Sequence, residues 1–408
     1  MKGCMLGWSA KSSQAPSYGP STPFSGGKSI PSVVAMTEAQ STVVHRVAGA
    51  AFTANALTEY EDYVDQSCAA LLKAFKERPK PIDLSWWFGL FAMDVINRIA
   101  FSDSMGFLET GEDVENLIAA TKDRFDHWGH WSAIPGVERF FYKSQVSRLW
   151  NGTKTSPLAA AAQTKLAMRS GEKSAEFKDR QDLLGKFLDG AAKHPGLVTD
   201  KEIIGMTQST IGAGADTTAA TLAIVYIYLG RHPQVVQKMR DELQSTTLSS
   251  PPTWDEVRTL PYLEAVIKEA MRLLPVSQWG HDRVVPPGGA VVSGYILEEG
   301  THVQCAIDSV QRSAEIFGAE PDSYYPERWL EATERQKIRM EGAMLGFGAG
   351  KRMCLGRHIA WLEMKKLLPL LTLHLDIQVL EPEIDVVKAI QPSGVRYIPP
   401  LIASIYER

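Results

Sequence analysis

The residues with the clearest capacity for chemistry lie between Phe347 and Gly356, where glycines surround a cysteine. Gly348 and Gly350 precede Cys354, and Gly356 follows it directly before a helical pattern. Glycines let the backbone pass close to a flat ligand and turn sharply into a helix. The Cys354 sulfur is therefore predicted to lie at a helix N-terminus, where the partial positive charge and backbone N–H groups favour the thiolate. A thiolate is the form of cysteine that binds iron.

A cysteine by itself is more often a buried structural thiol than a metal ligand, but the residues around this one form a specific pattern. They read Phe-x-x-Gly-x-Arg-x-Cys-x-Gly, with the fixed positions at Phe347, Gly350, Arg352, Cys354 and Gly356. In this segment the chain resembles the cytochrome P-450 superfamily, and most of all its filamentous-fungal members. The resemblance implies haem b as the cofactor, with Cys354 as the axial ligand of the iron and Arg352 beside a haem propionate.

A second segment, Ala213 to Thr218, lies in a long apolar helical run and looks like the oxygen-activation motif of the same family. Gly214 is expected to let the helix approach the haem, with Ala213 beside it. The Thr217 hydroxyl can bond the Ala213 carbonyl and locally widen the turn. The resemblance gives Thr217 and Asp216 the task of relaying protons to bound oxygen, which needs a positioned hydroxyl and carboxyl group. Without the cysteine loop, ordinary back-bonding hydroxyls would be the simpler interpretation.

A charged network is predicted near the haem side of the core. Glu269 and Arg272 are three residues apart and so share a helix face. They are similar to the family's Glu-x-x-Arg motif, which pairs with an arginine in a segment that here contains Arg328. The pair alone would be a weak signal, because exposed helix ion pairs are common. With Arg328, the three residues are interpreted as structural and not catalytic.

Further cations are assigned to the haem propionates by the resemblance. Arg283 opens a strand-like stretch and matches a propionate-binding position of the family. His45 and Arg46 resemble the end of the family's haem-flanking helix, where a Trp or His is expected four residues before an Arg, but Ser41 and His45 occupy those two places. A contact from His45 or Arg46 therefore stays an open alternative.

The elements that must position these residues are mainly helical, with a minor β component. A helical pattern runs with brief breaks from Thr53 to about Leu274, and its longest element, about 200–229, would be roughly 45 Å long. That helix is apolar nearly all round and must be central. Short strand-like stretches follow at 282–285, 290–296 and 302–306. The resemblance implies the cytochrome P-450 fold, with the long helix over the haem.

The chain divides into two predicted regions. Residues 1–35 are expected to form an irregular N-terminal segment, because Ser, Gly and Pro are frequent in it. Residues 36–408 are expected to form the haem-thiolate monooxygenase domain. The resemblance begins at about Ile30, whereas family members of this kind normally start with a membrane anchor, early helices and the first strands of a small sheet. The N-terminal part is therefore expected to be reduced.

Composition limits the class and location of the protein. Of 408 residues, 44% are hydrophobic and 22% are charged, which is typical of a globular protein. The net charge of −4 gives no electrostatic case for nucleic acid. Four widely separated cysteines suit a reducing, intracellular setting. No signal peptide or transmembrane anchor is recognised, so a cytoplasmic location or peripheral association with the endoplasmic reticulum is expected.

The combined motifs predict a monooxygenase that uses dioxygen to oxidise a lipophilic small molecule, with a role in secondary metabolism. Electrons should come from an NADPH-dependent cytochrome reductase, because no GxGxxG segment follows a strand. A basic docking surface for that partner is suggested by Lys351, Arg357, Lys365 and Lys366. Two alternatives remain: an isomerase that needs no electrons, against which the Asp216–Thr217 pair argues, and an inactive, truncated haem-binding protein.

The substrate pocket is expected to be apolar and medium-sized. Three segments are predicted to form it: residues 16–35, the aromatic stretch around Phe125, Trp128, Trp131, Phe140 and Phe141, and residues 275–279. Aromatic residues at helical spacing are more often core than pocket, so the second segment also fits a purely structural role.

Overall fold

One long helix through the core organises the fold. It spans Asp200–Arg231, two residues beyond the predicted end, and most of its side chains are buried. Its first turn contains the capping box of Thr199 and Glu202, which satisfies backbone N–H groups at the helix start. Among the described residues this helix alone has the length and hydropathy of a membrane span, and 78% of the apolar window is buried in the protein. That burial is what a central core helix requires.

The computed structural model describes residues 13–25, 28–78, 81–144, 147, 155–170, 181–277, 282–383 and 393–408. The first 10 residues, in which no signal peptide was recognised, and Trp279 of the predicted pocket lie outside these ranges.

The predicted mainly α fold is confirmed. The longer helices are α1 Glu38–Ala48, α2 Leu57–Glu77, α3 Leu84–Phe101, α4 Leu117–Trp131, α5 Pro157–Ser170, α6 Leu183–Lys193, α7 Asp200–Arg231, α8 Pro233–Ser245, α9 Pro261–Leu273, α10 Glu334–Ala343 and α11 Arg357–His374. Single-turn helices occupy Phe107–Thr110, Pro135–Glu138, Trp254–Val257, Ile307–Gln311, Ala314–Phe317 and Arg328–Glu331. Helix α3 is the buried helix predicted from its apolar run, and Arg98 Nε donates to Asp94 Oδ2 at 2.7 Å within it.

The strands are short and form small antiparallel sheets. They are β1 Ser13–Gln14, β2 Phe24–Ser25, β3 Lys28–Ser29, β4 Ile82–Asp83, β5 Arg283–Val284, β6 Ala290–Val292, β7 Tyr295–Leu297, β8 His302–Val303, β9 Leu375–Val379 and β10 Ile402–Glu407. The sheet orders are β1-β5-β8, β4-β10-β9, β2-β3 and β6-β7. The prediction of one continuous strand-like stretch at 290–296 is wrong. This segment is a hairpin, because Ser293 and Gly294 adopt positive φ angles of 51° and 86° and turn the chain back.

The segment before α1 packs against the helical body. Strand β1 pairs with β5, and Tyr18 and Ile30 are buried. The Tyr18 ring lies 5.5 Å from the ring of Trp128 on α4, whose indole N–H donates to the Ser17 carbonyl at 3.0 Å. This packing places residues before α1 beside the central helix and gives the site a wall that comes from the beginning of the described chain.

A buried ionic network fixes α9 against the segment that follows the small sheets. Glu269 and Arg272 are 0% exposed, and the guanidinium of Arg272 donates from Nε and Nη2 to the two carboxylate oxygens at 2.9 and 2.8 Å. The same carboxylate accepts from Arg328 Nε at 3.2 Å and from the Trp329 indole at 2.9 Å. Buried charges are tolerated only when their hydrogen bonds are satisfied in this way.

Removal of the shared carboxylate should strongly destabilise the fold. Glu269→Ala leaves the buried Arg272 cation without its counter-charge, and a loss of about 3–5 kcal/mol in the free energy of unfolding is expected. Urea denaturation measures the change. Glu334→Ala is the control, because its carboxylate is 85% exposed and pairs with a surface lysine, and it should cost less than about 1 kcal/mol. Equal stability of the two variants would contradict a structural role for the network.

Candidate active site

A cavity of about 330 Å³ lies between the cysteine loop and helix α7. One wall is formed by Phe347, Arg352, Met353, Cys354, Leu355 and Gly356, and the opposite wall contains Met206, Ser209, Thr210, Ala213, Gly214, Thr217 and Thr218. The two segments singled out by their motifs are 129 positions apart in the sequence. The fold brings them to one cavity.

The cysteine loop owes its shape to two glycines. Gly348 and Gly350 both have a φ of 70°, in the left-handed region that side chains disfavour. The resulting turns allow the Cys354 N–H to donate to the Phe347 carbonyl at 2.8 Å, which closes the loop directly before α11. The sulfur is therefore presented from a rigid loop near a helix N-terminus, as the sequence predicts.

The protonation of Cys354 differs from the sequence-based expectation. Cys354 is exposed to the cavity and lines its wall. The surrounding protein nevertheless keeps bulk water away from the sulfur, and this desolvation raises the pKa of the thiol above its usual value. Hydrogen bonds from the backbone of Gly356 and Arg357 and the charge of Arg357 lower the pKa, but they are the smaller effects. The backbone N–H groups at the helix start thus act in the predicted direction, but burial outweighs them, and a bound cation would help to remove the proton.

The motif on α7 presents a helical turn with a side-chain back-bond to the cavity. The Thr217 hydroxyl donates to the Ala213 carbonyl at 2.7 Å, the back-bond expected from the sequence. Gly214 lines the cavity, but a Cβ at this position would lie 2.9 Å from the side chain of Ile96 on α3. The missing side chain therefore serves the close packing of α7 on α3, in addition to leaving space in the cavity.

Asp216 lies behind Thr217 and contacts a residue that the sequence analysis missed. Its carboxylate is 8% exposed and accepts a hydrogen bond from the Tyr397 hydroxyl at 2.7 Å. Burial raises the pKa of Asp216 to about 7, while Tyr397 and the Lys122 ammonium oppose this shift. The carboxylates of Asp126 and Asp113 raise the pKa further. No sequence motif marks Tyr397, because it reaches Asp216 from a segment 181 positions away.

Three of the predicted propionate partners, Arg352, Arg283 and His45, line the same cavity, whereas Arg46 is not among its lining residues. Arg352 donates from Nε to Glu38 at 3.0 Å and from Nη2 to the Met36 carbonyl at 2.7 Å. Arg283 donates from Nη1 to the Tyr18 hydroxyl at 3.3 Å. His45 also lines the cavity, and burial and the charge of Arg352 lower its pKa, so that its imidazole is neutral at pH 7.

The predicted basic docking surface is partly wrong. Lys365 and Lys366 are 3% and 2% exposed, since their ammonium groups turn inward to Glu264 at 2.6 Å and Glu61 at 2.7 Å. Lys351 is exposed. Two of the four basic residues therefore hold α11 in the core, and a partner protein cannot reach them.

Only part of the aromatic stretch predicted for the pocket lines the cavity. Phe125 and Trp128 line the cavity, as do Tyr18 and Ser21 from the segment before α1. Phe140 and Phe141, however, are 57% and 48% exposed on the protein surface, so their placement in the pocket is wrong. Ser277 is the cavity-lining residue from the predicted stretch 275–279, as far as that stretch is described.

Comparison with known proteins agrees with this arrangement. The family model for cytochrome P450 matches residues 13–401. The chain belongs to the cytochrome P450 family. A cytochrome P450 monooxygenase of Aspergillus terreus is 34% identical over 368 residues, which cover 86% of this chain and 74% of the relative. The cytochrome P450 monooxygenase cicH of Emericella nidulans is 33% identical over 375 residues, which cover 88% and 74%. The cytochrome P450 monooxygenase mpaDE of Penicillium roqueforti is 33% identical over 338 residues, which cover 80% of this chain and 40% of that protein.

Family membership confirms the predicted fold and enzyme class, a cytochrome P450 monooxygenase, and it implies a haem-thiolate cofactor. The residues at the cavity fit such a group. The Cys354 sulfur faces the space from a rigid loop, and the cationic side chains of Arg352 and Arg283 line it on the side walls. A soft sulfur ligand for iron and guanidinium groups for two carboxylates are the chemistry that suits a thiolate-bound haem.

The contact with Tyr397 should set the pH at which Asp216 loses its proton. Tyr397→Phe removes a hydrogen bond that stabilises the carboxylate, so the pKa of Asp216 should rise from about 7 by about one to two units. Infrared difference spectroscopy across a pH titration detects the C=O stretch of the protonated acid, and Asp216→Asn identifies the band. Tyr63→Phe, which removes a hydroxyl bonded to Ser102 at 2.7 Å, should leave the titration unchanged. A shift of equal size in both variants would contradict a direct effect of Tyr397.

Proposed function

We propose that this protein is a haem-dependent monooxygenase that oxidises a lipophilic small molecule with dioxygen and with electrons from an NADPH-dependent cytochrome reductase. The observation that carries the proposal is the single cavity on which Cys354 and the Ala213–Thr217 turn converge from opposite walls. A thiolate on one side and a hydroxyl with a buried acid on the other are the two protein contributions that oxygen activation needs.

The chain's residues would divide the work of holding the haem. The haem would supply the iron and the redox chemistry of oxygen activation. Cys354 would provide the axial thiolate, and the turns at Gly348 and Gly350 would hold the loop in place. Arg352 and Arg283 would pair with the propionates, for which their guanidinium forks are suited. Phe347 and Gly356 would border the ligand, as would Ala213 and Gly214 on the opposite wall.

Proton delivery would depend on Thr217 and Asp216. Thr217 lines the cavity and donates to Ala213, so its oxygen is held at a fixed point where it can accept a hydrogen bond from a water molecule. Asp216 has a pKa of about 7, and it can therefore both release and regain a proton near neutral pH. Thr217 at the cavity wall, with Asp216 buried next to it in the chain, argues against an electron-independent isomerase.

The walls of the cavity favour a mostly apolar substrate. Apolar side chains from several elements contribute to them: Val33, Val44, Phe52, Ile96, Phe125, Phe187, Met206, Val395 and Ile359. A cavity of this kind suits a small organic molecule held by shape and by few polar contacts. Since the relatives are monooxygenases of filamentous fungi, we place the reaction in secondary metabolism and the protein inside the cell.

Cys354→Ala should abolish thiolate ligation. The purified protein, loaded with haem and reduced under carbon monoxide, is expected to show the red-shifted absorption band of a thiolate-bound carbonyl complex, and the variant should lose it. Cys68→Ala is the control, since Cys68 is a buried thiol on α2. An identical band in the wild type and in Cys354→Ala would refute the assignment of the ligand.

Thr217→Ala should uncouple electron use from product formation. Loss of the hydroxyl should lower the yield of oxidised product per NADPH by about tenfold or more, while NADPH consumption continues. The yield is measured with a reductase and a substrate found by screening. Thr221→Ala removes a similar back-bond, from Thr221 to the Thr217 carbonyl at 2.8 Å, and should keep the normal yield. An unchanged yield in Thr217→Ala would disprove the proton role.

A further inference from the structure

A third arginine, besides Arg283 and Arg352, lines the cavity. Arg124 is on α4 and lines the cavity beside Phe125 and Trp128. Burial lowers the pKa of its guanidinium to about 10, so the group still carries a full charge at pH 7. A buried charge is unfavourable unless an opposite charge or several good hydrogen bonds compensate it.

Among the described residues, both hydrogen-bond partners of Arg124 are neutral. Its Nε donates to the Ser21 carbonyl at 3.1 Å, and its Nη2 donates to the Ser32 hydroxyl at 2.9 Å. Within the described part of the chain, no carboxylate forms an ion pair with this guanidinium. The buried Arg272, in contrast, donates from two nitrogens to the carboxylate of Glu269. Arg124 thus lacks the anion that a buried guanidinium normally binds.

Uncharged polar residues line the same cavity as Arg124. Ser21, Ser209 and Thr210 line the cavity together with Arg124. On α7, a Cβ at Gly212 would lie 3.4 Å from Arg124 Nη1, and Gly212 precedes Thr217 by five residues, which corresponds to roughly 7.5 Å along the helix axis. A molecule anchored at Arg124 would therefore extend past an apolar stretch before it reaches the turn that carries Thr217.

We propose that Arg124 binds the carboxylate of the substrate, which is therefore an amphipathic organic acid oxidised at a carbon remote from its carboxyl group. The inference rests on the proposed function, because it names the substrate class of the same cavity. A carboxylate would complete the hydrogen bonds of the guanidinium and neutralise its charge in a desolvated place. The apolar body of the acid would fill the space between Arg124 and Thr217.

Binding of a matched acid and ester tests the proposal without turnover. Decanoate and its uncharged methyl ester are titrated into the haem-loaded protein by calorimetry. Arg124→Gln should weaken decanoate binding by about 30-fold or more and should change ester binding by less than about twofold. Arg124→Lys keeps the charge and should still prefer the acid to the ester. Arg335→Gln, which removes an exposed arginine on α10, should bind both ligands as the wild type does.

The outcomes separate this inference from the proposed function. An unchanged preference for the acid in Arg124→Gln, or an equal loss of acid and ester binding, would overturn carboxylate recognition. A fall in haem content with unchanged decanoate affinity would show that Arg124 holds the haem, and it would also overturn the proposal. Failure of thiolate ligation at Cys354, in contrast, would be seen in the carbonyl spectrum and would leave the ratio of acid to ester affinity as it is.

Discussion

The close packing of α7 against α3 is the constraint on which the site depends. Gly214 has no room for a Cβ beside Ile96, so the two helices approach each other at the level of the motif. This contact fixes the position of the Thr217 turn, which lines the cavity together with the cysteine loop. Because α7 is buried along most of its length, a shift of the helix would also disturb packing far from the cavity.

Desolvation determines the electrostatics of the site more than any single ion pair does. Burial is the largest influence on the pKa of Cys354, Asp216 and Arg124, and it raises the pKa of the two acids and lowers that of the cation. It also raises the pKa of Glu363 well above its usual value, and one carboxyl oxygen of this cavity-lining residue has no hydrogen-bond partner among the described residues. The cavity therefore disfavours charges that no opposite charge compensates, and an anionic ligand would compensate the positive charge of Arg124.

Long, regular elements were predictable because their signals are local. The capping box at Thr199, the proline at the start of α9 and the apolar run of α3 each mark a helix through neighbouring residues alone. The hairpin at Ser293 was missed because a turn with positive φ at a non-glycine residue has a weak sequence signal. The inward turn of Lys365 and Lys366 was missed for another reason: their carboxylate partners lie on distant elements.

The sequence by itself determined the kind of chemistry. The spacing around Cys354 and the Ala213–Thr218 segment is sufficient to indicate a thiolate ligand and an acid–hydroxyl pair, since each motif is contiguous and carries its own backbone geometry. Only the tertiary structure decided which charges surround them. The contact of Tyr397 with Asp216, the pKa of the Cys354 thiol and the position of Arg124 in the cavity wall depend on burial and on contacts between distant segments, which no local pattern encodes.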